Sequence, residues 1–326
     1  EDARVGTARG GSAAAVGELA RALAPHRVLI HHDFAQTPGF AADAHNAVFV
    51  PDPKRTGWAC WGFSEGIFHS LQYALQNHEF DYLQLLSPTC LPIKPLAELE
   101  SHLASSDVEA NFDFVDLFED RDAFMTVGYR AFTPEQSLRH RILCRLSSVY
   151  FGGGSAMRPV AGVQLRTGFA HSASGRMTLG ARAALAATQL YSHRAIGRHI
   201  FDEKFRPCFG SVWFGARREV VADIVERFHD PELQRWFSRL RIADEFLVPT
   251  LLRNSGARRG PGNHLISDFV DANPVWFVEQ DLPRLRESRA FFARKFRDDP
   301  SDPVRRRVLD ELVAAGRSRE AVLSDA

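Results

Sequence analysis

Apolar residues recur with two different periods along the first hundred positions of the chain. From Ser12 to Leu23 they fall at helical spacing in an alanine-rich run, which predicts a helix. Val28, Leu29 and Ile30 then form a short apolar block ending in His31, His32 and Asp33, which predicts a buried strand with a polar end. "NAVFVPD" predicts a second strand. Ile67, Phe68, Leu71, Ala74 and Leu75 share one helical face, for which Ser64 is the expected N-cap. "FDYLQLLSPTCLPIKP" reads as a third strand running into a proline-punctuated loop, and "LAELESHL" as another helix. This alternation predicts an α/β fold with a mostly parallel central sheet and helices on both faces.

Beyond Asn111 the period weakens. "NFDFVDLFED" predicts a strand, whereas 123–198 mixes arginines, glycines and apolar residues without a clear repeat. Such a region is expected to lie over one face of the sheet, where specificity is commonly held. "CFGSVWFGARREVVADIVERF" restores order, with a strand expected over 210–214 and a helix over 219–228. "SDPVRRRVLDELVAAG" predicts an amphipathic helix. The expected organisation is one domain over 1–300, with 123–198 as an insertion, and a helical tail over 301–326.

The chain has 326 residues and 45% hydrophobic content, enough for a large core. Its 40 basic and 40 acidic residues cancel, so no global field draws it to nucleic acid. No stretch approaches the roughly 18 apolar residues of a membrane span, and no signal peptide is visible. The expected location is cytoplasmic or peripheral to an inner membrane. The chain begins at Glu1 without an initiator methionine, as an excised or processed piece would. Cys60, Cys90, Cys144 and Cys208 show no paired spacing, which suits free thiols in a reducing compartment. Four lysines among the 40 basic residues point to a GC-rich bacterial genome.

Several short motifs compete for the chemistry. "YFGGGSAM" lacks the lysine and hydroxyl residue of a phosphate loop and reads as a turn. His31 and His32 should point to opposite faces of a strand end, which disfavours a shared metal ion. Asp120 and Asp122 in "EDRD" have a spacing that suits a divalent cation under a nucleotide diphosphate, or simply a solvated loop. In "RIADEFLVPTLLRNSG", Asp244 is placed as an N-cap and Glu245 in the first helical turn, where the helix dipole favours the ionised carboxylate a base requires. Pro249 removes the hydrogen bond to the Glu245 carbonyl and should kink that turn.

Four segments in order resemble the core-2/I-branching β-1,6-N-acetylglucosaminyltransferase family, which includes the peptide O-xylosyltransferases. They are "VFVPDPKRTGWACWGFSEGIFHSLQYALQNHEFDYLQLLSPTCLPIKPLAELESHL", "GSVWFGARREVV", "ADEFLVPTLLRNSG" and "FFARKF". The resemblance implies a GT-A-like, single Rossmann-type domain. It also implies inverting transfer of N-acetylglucosamine or xylose from a UDP donor to a glycan or glycoconjugate hydroxyl, with no metal and no cofactor. Glu245 matches the family's catalytic base, with Asp244 beside it, and Lys295, with its neighbour Arg294, is expected to bind the diphosphate. His32, Asp33, Trp61 and Ser87 are expected around the donor, although Trp61 is also placed to fill the core. Trp213 and Ser211 are expected on the acceptor side.

Two departures stand out. Cys90 occupies a place where the family often carries Asp, and the arginine expected some twenty residues before Lys295 is missing, leaving Arg286 or Arg289 as substitutes. Two other readings therefore stay open: a metal-dependent transferase using Asp120 and Asp122, or a sugar- or nucleotide-binding module that has lost catalysis.

Overall fold

The computed structural model describes residues 12–131, 137–152, 156–160, 162–167, 176–196, 200–270 and 273–314. The first helix, Ala13–Ala22, begins after Ser12, whose hydroxyl caps it by accepting the Ala15 N–H at 3.2 Å. Strands Val28–Ile30 and Ala47–Phe49 follow and pair in parallel. The next helix, Trp61–Asn77, starts earlier than expected, with Cys60 at the N-cap. Ser64 instead lies one turn inside, fully buried on the face shared with Ile67 and Phe68. That face packs on the helix Arg218–Phe228, where Phe228 stacks on Phe68 with ring centroids 4.0 Å apart.

The sheets are mixed. Gly215–Arg217 runs antiparallel between Tyr82–Gln84 and Ala110–Asn111. Phe292–Arg294 lies between Leu265–Ser267, which is parallel to it, and Leu91–Pro92, which is antiparallel. Among the described residues, parallel strand pairing is confined to the first two strands and to 265–267 with 292–294. A mostly parallel sheet was the expectation from alternating elements, but apolar runs specify burial and carry no strand direction. The expected single strand in "NFDFVDLFED" is divided into Ala110–Asn111 and Val115–Asp116, the latter pairing with Cys208–Phe209. The strand expected over 210–214 is likewise displaced to either side, with Ser211 and Trp213 in a turn between Cys208–Phe209 and Gly215–Arg217.

Three helices in the expected insertion, Arg121–Ala131, Leu138–Phe151 and Leu179–Ile196, share a small core that includes Phe124, Met125, Tyr150 and Leu185. A hairpin of Ala156–Val160 and Val163–Thr167 accompanies them. Gly153 and Gly154 of the glycine run lie outside the described residues. The C-terminal helix Pro303–Arg307 is capped by Asp302, which accepts the Val304 N–H at 3.0 Å, and continues into a wider turn over Val308–Ala314. Both pack with Leu19, Ile93, Phe277 and Phe296 in a second core.

Arg305 anchors this second core. Its side chain is fully buried, donates through Nε to Glu18 at 2.7 Å, and donates through Nη1 to the Arg297 carbonyl at 3.0 Å. Breaking such a pair leaves an uncompensated buried charge, which costs about 3–5 kcal/mol. Glu18→Ala is therefore expected to lower the unfolding free energy by about that amount in urea denaturation, and Glu18→Leu with Arg305→Met to restore most of it.

Candidate active site

The helix Asp244–Asn254 carries the acidic pair, and its start differs from the sequence expectation. Ala243 holds the N-cap position, and Asp244 is the first helical residue and makes no capping bond. Pro249 lies inside the helix, which continues to Asn254. With no N–H at position 249, the Glu245 carbonyl accepts instead from Gly210 N–H at 2.9 Å. One residue further on, Thr250 Oγ1 accepts from Cys208 N–H at 2.9 Å and donates to the Cys208 carbonyl at 3.1 Å. The helix is thus fastened to the 208–210 segment by its own defect. Gly210 is required there, because a Cβ would lie 2.3 Å from the Asp113 carbonyl oxygen.

Asp244 is buried, at 8% exposure, and its neighbour Glu245 is half-buried. Burial first, and the Glu245 charge second, push the Asp244 carboxyl up to about 7. Near neutrality Asp244 therefore still holds a proton in part of the population.

Arg294 ends the strand Phe292–Arg294 and Lys295 follows it, between the buried Phe292 and Phe296. Phe296 N–H donates to the Thr89 carbonyl at 3.0 Å, and Phe277 N–H donates to the Lys295 carbonyl at 2.8 Å. The Arg294 guanidinium lies 5.0 Å from the centroid of the Trp213 ring, and Lys295 Nζ lies 4.4 Å from that of Trp276. Two neighbouring cations are thereby backed by two tryptophans from different segments. Burial lowers the pKa of both, and for Lys295 the adjacent Arg294 adds to the effect. The Glu245 carboxylate acts on Arg294 in the opposite direction. The Cys90 thiol is pushed up by its burial and stays neutral.

The other predicted residues divide into two groups. Ser87 belongs to the Cys90 loop, with its hydroxyl 3.0 Å from Thr89 Oγ1 and 3.1 Å from Cys90 Sγ. Ser211 is buried and its hydroxyl accepts the Trp213 N–H at 3.2 Å, so it shapes the turn that presents Trp213 to Arg294. Both shape loops that border Arg294, through Cys90 and Trp213 respectively. The remainder are engaged elsewhere. His32 stacks on Phe40 at 4.0 Å, while His31 turns to the other side and accepts from Lys54 N–H at 2.9 Å, the opposition expected of adjacent strand residues. Asp33 accepts from Ala35 N–H and Thr56 N–H and so ties two loops together. Trp61 stacks on Phe228 with centroids 5.7 Å apart, in the core. Arg286 pairs with Glu311 at 3.0 Å, and Arg289 is exposed.

Asp120 and Asp122 have local structural partners. Asp120 accepts from Ala123 N–H at 2.9 Å at the start of a helix, and Asp122 accepts from the Tyr150 hydroxyl at 3.0 Å. Both line an open cavity of about 660 Å³ with Phe114, Asp116, Tyr150 and Val160. No cluster of three or more metal-ligating side chains occurs among the described residues.

Trp276, Thr89, Gly210 and Asp113 went unnoticed in the sequence. Trp276 had a signal, as one of five tryptophans. The carboxyl of Asp113, raised by burial and lowered by Arg259, would lie 3.5 Å from a Cβ at Gly162, as part of the group around Ser211.

The geometry defines a mixed α/β protein in which a carboxylate on a proline-containing helix acts on Arg294, one of two adjacent cations that lie over tryptophan rings. The chain belongs to the Core-2/I-Branching enzyme family, whose model matches residues 27–260. That is a family of glycosyltransferases, and the match includes Glu245 but ends before Arg294 and Lys295. No curated protein matches the chain.

The Asp244 environment generates a pH dependence. A carboxyl raised from 3.8 to about 7 by folding contributes stability that is complete below the unfolded value and is lost as pH rises through the folded one. Asp244→Asn removes that loss. Its melting temperature relative to the parent is expected to rise steadily between about pH 4 and pH 7 and to level off above, as followed by thermal denaturation in a buffer series.

Proposed function

We propose that this protein is an inverting glycosyltransferase that moves N-acetylglucosamine or xylose from a UDP donor to a glycan or glycoconjugate hydroxyl. The observation that carries the reading is the pair of adjacent cations, Arg294 over Trp213 and Lys295 over Trp276, with the Glu245 carboxylate acting on Arg294. Glu245 takes the acceptor hydroxyl proton as the oxygen bonds to the anomeric carbon on the face opposite the nucleotide. The bond from that carbon to the β-phosphate oxygen breaks, and its electron pair leaves with UDP. A positioned base contributes roughly 10²–10⁴-fold to such a step. Arg294 and Lys295 stabilise the departing diphosphate, and two fixed cations serve where a metal ion otherwise would.

The neutral Cys90 fits this scheme. A carboxylate there would neutralise Arg294, whereas the buried thiol leaves its charge to Glu245 and the donor. Arg294 supplies the second cation, while Arg286 is engaged with Glu311. Metal independence is supported by the capping and tyrosine bonds that occupy Asp120 and Asp122.

The test is thermal-shift binding of UDP-N-acetylglucosamine and UDP-xylose with EDTA and with Mn²⁺, followed by donor hydrolysis. Stabilisation is expected to survive EDTA. Glu245→Gln should keep donor binding and lose hydrolysis by roughly 10²–10⁴-fold, while Lys295→Met should weaken donor binding. Stabilisation that needs Mn²⁺ would move the chemistry to Asp120 and Asp122, and no response to any nucleotide would leave an inactive binding module.

A further inference from the structure

The charge balance of the whole chain conceals a local asymmetry. Residues 136–201 contain nine arginines and no aspartate or glutamate, although the full sequence is neutral. Two of the insertion helices fall in this stretch, Leu138–Phe151 and Leu179–Ile196, and each buries one face against the shared core. The opposite faces are apolar as well. Leu138, Ile142 and Val149 recur at i, i+4 and i+11 on the first helix and are 70%, 51% and 49% exposed. Leu179 and Leu190, 82% and 80% exposed, share the same i, i+11 line on the second helix, with the exposed Ala183 and Ala186 between them.

The two stripes adjoin. A Cβ on Gly180 would lie 3.6 Å from Val149 Cγ1, so the end of the first stripe meets the start of the second. Arg139, Arg141, Arg145 and Arg182 are exposed beside them. Exposed leucines on a helix that has already buried its core face gain nothing from the fold and weigh against solubility. Apolar stripes flanked by arginines, without any acid, match an interface that is greasy at its centre and anionic at its rim.

We propose that this face docks on an anionic phospholipid surface, with the leucine and isoleucine side chains entering the headgroup boundary and the arginines meeting lipid phosphates. A soluble polyanion would use the arginines and leave the apolar stripes in water, so a membrane surface accounts for both features. No helix of the described residues is long and apolar enough to cross a bilayer, so the attachment lies along the surface. This inference stands on the surface alone and does not depend on the transfer chemistry.

The experiment is co-sedimentation of the full chain with vesicles of phosphatidylcholine, with and without phosphatidylglycerol. Binding is expected only with the anionic lipid and should weaken as salt is raised. Ile142→Asp with Leu190→Asp, and separately Arg141→Ala with Arg145→Ala, should each weaken it about tenfold or more at unchanged melting temperature. The arginine pair serves if the aspartates disturb folding. Failure to bind anionic vesicles, or equal binding by both variant pairs, would overturn the proposal. So would tight binding to heparin without vesicle binding, or a concentration-dependent dimer dissolved by the aspartate variants without vesicle binding.

Discussion

Proline at position 249 removes the one donor that would hold the Glu245 carbonyl inside its own helix, and the Gly210 N–H takes its place. A buried carbonyl without a partner is costly, so the helix and the 208–210 segment are bound to one another at the residue that carries the candidate base. Thr250 repeats the attachment one residue later through Cys208. Gly210 in turn presses on Asp113, and Cys208–Phe209 pairs with Val115–Asp116. Glu245, the turn leading to Trp213, and the floor of the acidic cavity are therefore positioned by one continuous set of backbone contacts.

The cationic side of the site follows a different logic. Adjacent Arg294 and Lys295 are both buried enough to be drawn toward neutrality, an arrangement that is stable only with compensation. Compensation comes from two tryptophan faces and from the Glu245 charge. The segment bearing the cations is itself part of the second core, where Phe296 packs with the C-terminal helix and Arg305 reaches back to Glu18. Chain ends remote in sequence thus help hold the two cations in place.

The insertion contributes a surface. Its helices close a small core on one side and expose apolar stripes and arginines on the other, while the rest of the molecule carries the balancing acids. A zero net charge is then a sum over two unlike regions, and the reading that neutrality leaves no field to steer a partner holds only for the average.

Local pattern in the sequence determined the helices. The alanine-rich first helix, the apolar face of Trp61–Asn77 and the Asp244–Asn254 helix were all legible, because helical periodicity depends on residues a few positions apart. So was the loss of a bond at Pro249, a property of the residue type itself. What replaced that bond was decided only by the tertiary structure, as were the mixed strand directions, the raised Asp244 carboxyl and the tryptophans behind Arg294 and Lys295. These depend on residues tens to hundreds of positions apart meeting in space, and burial that sets a carboxyl's charge or selects a donor for an orphaned carbonyl exists only once those segments have packed.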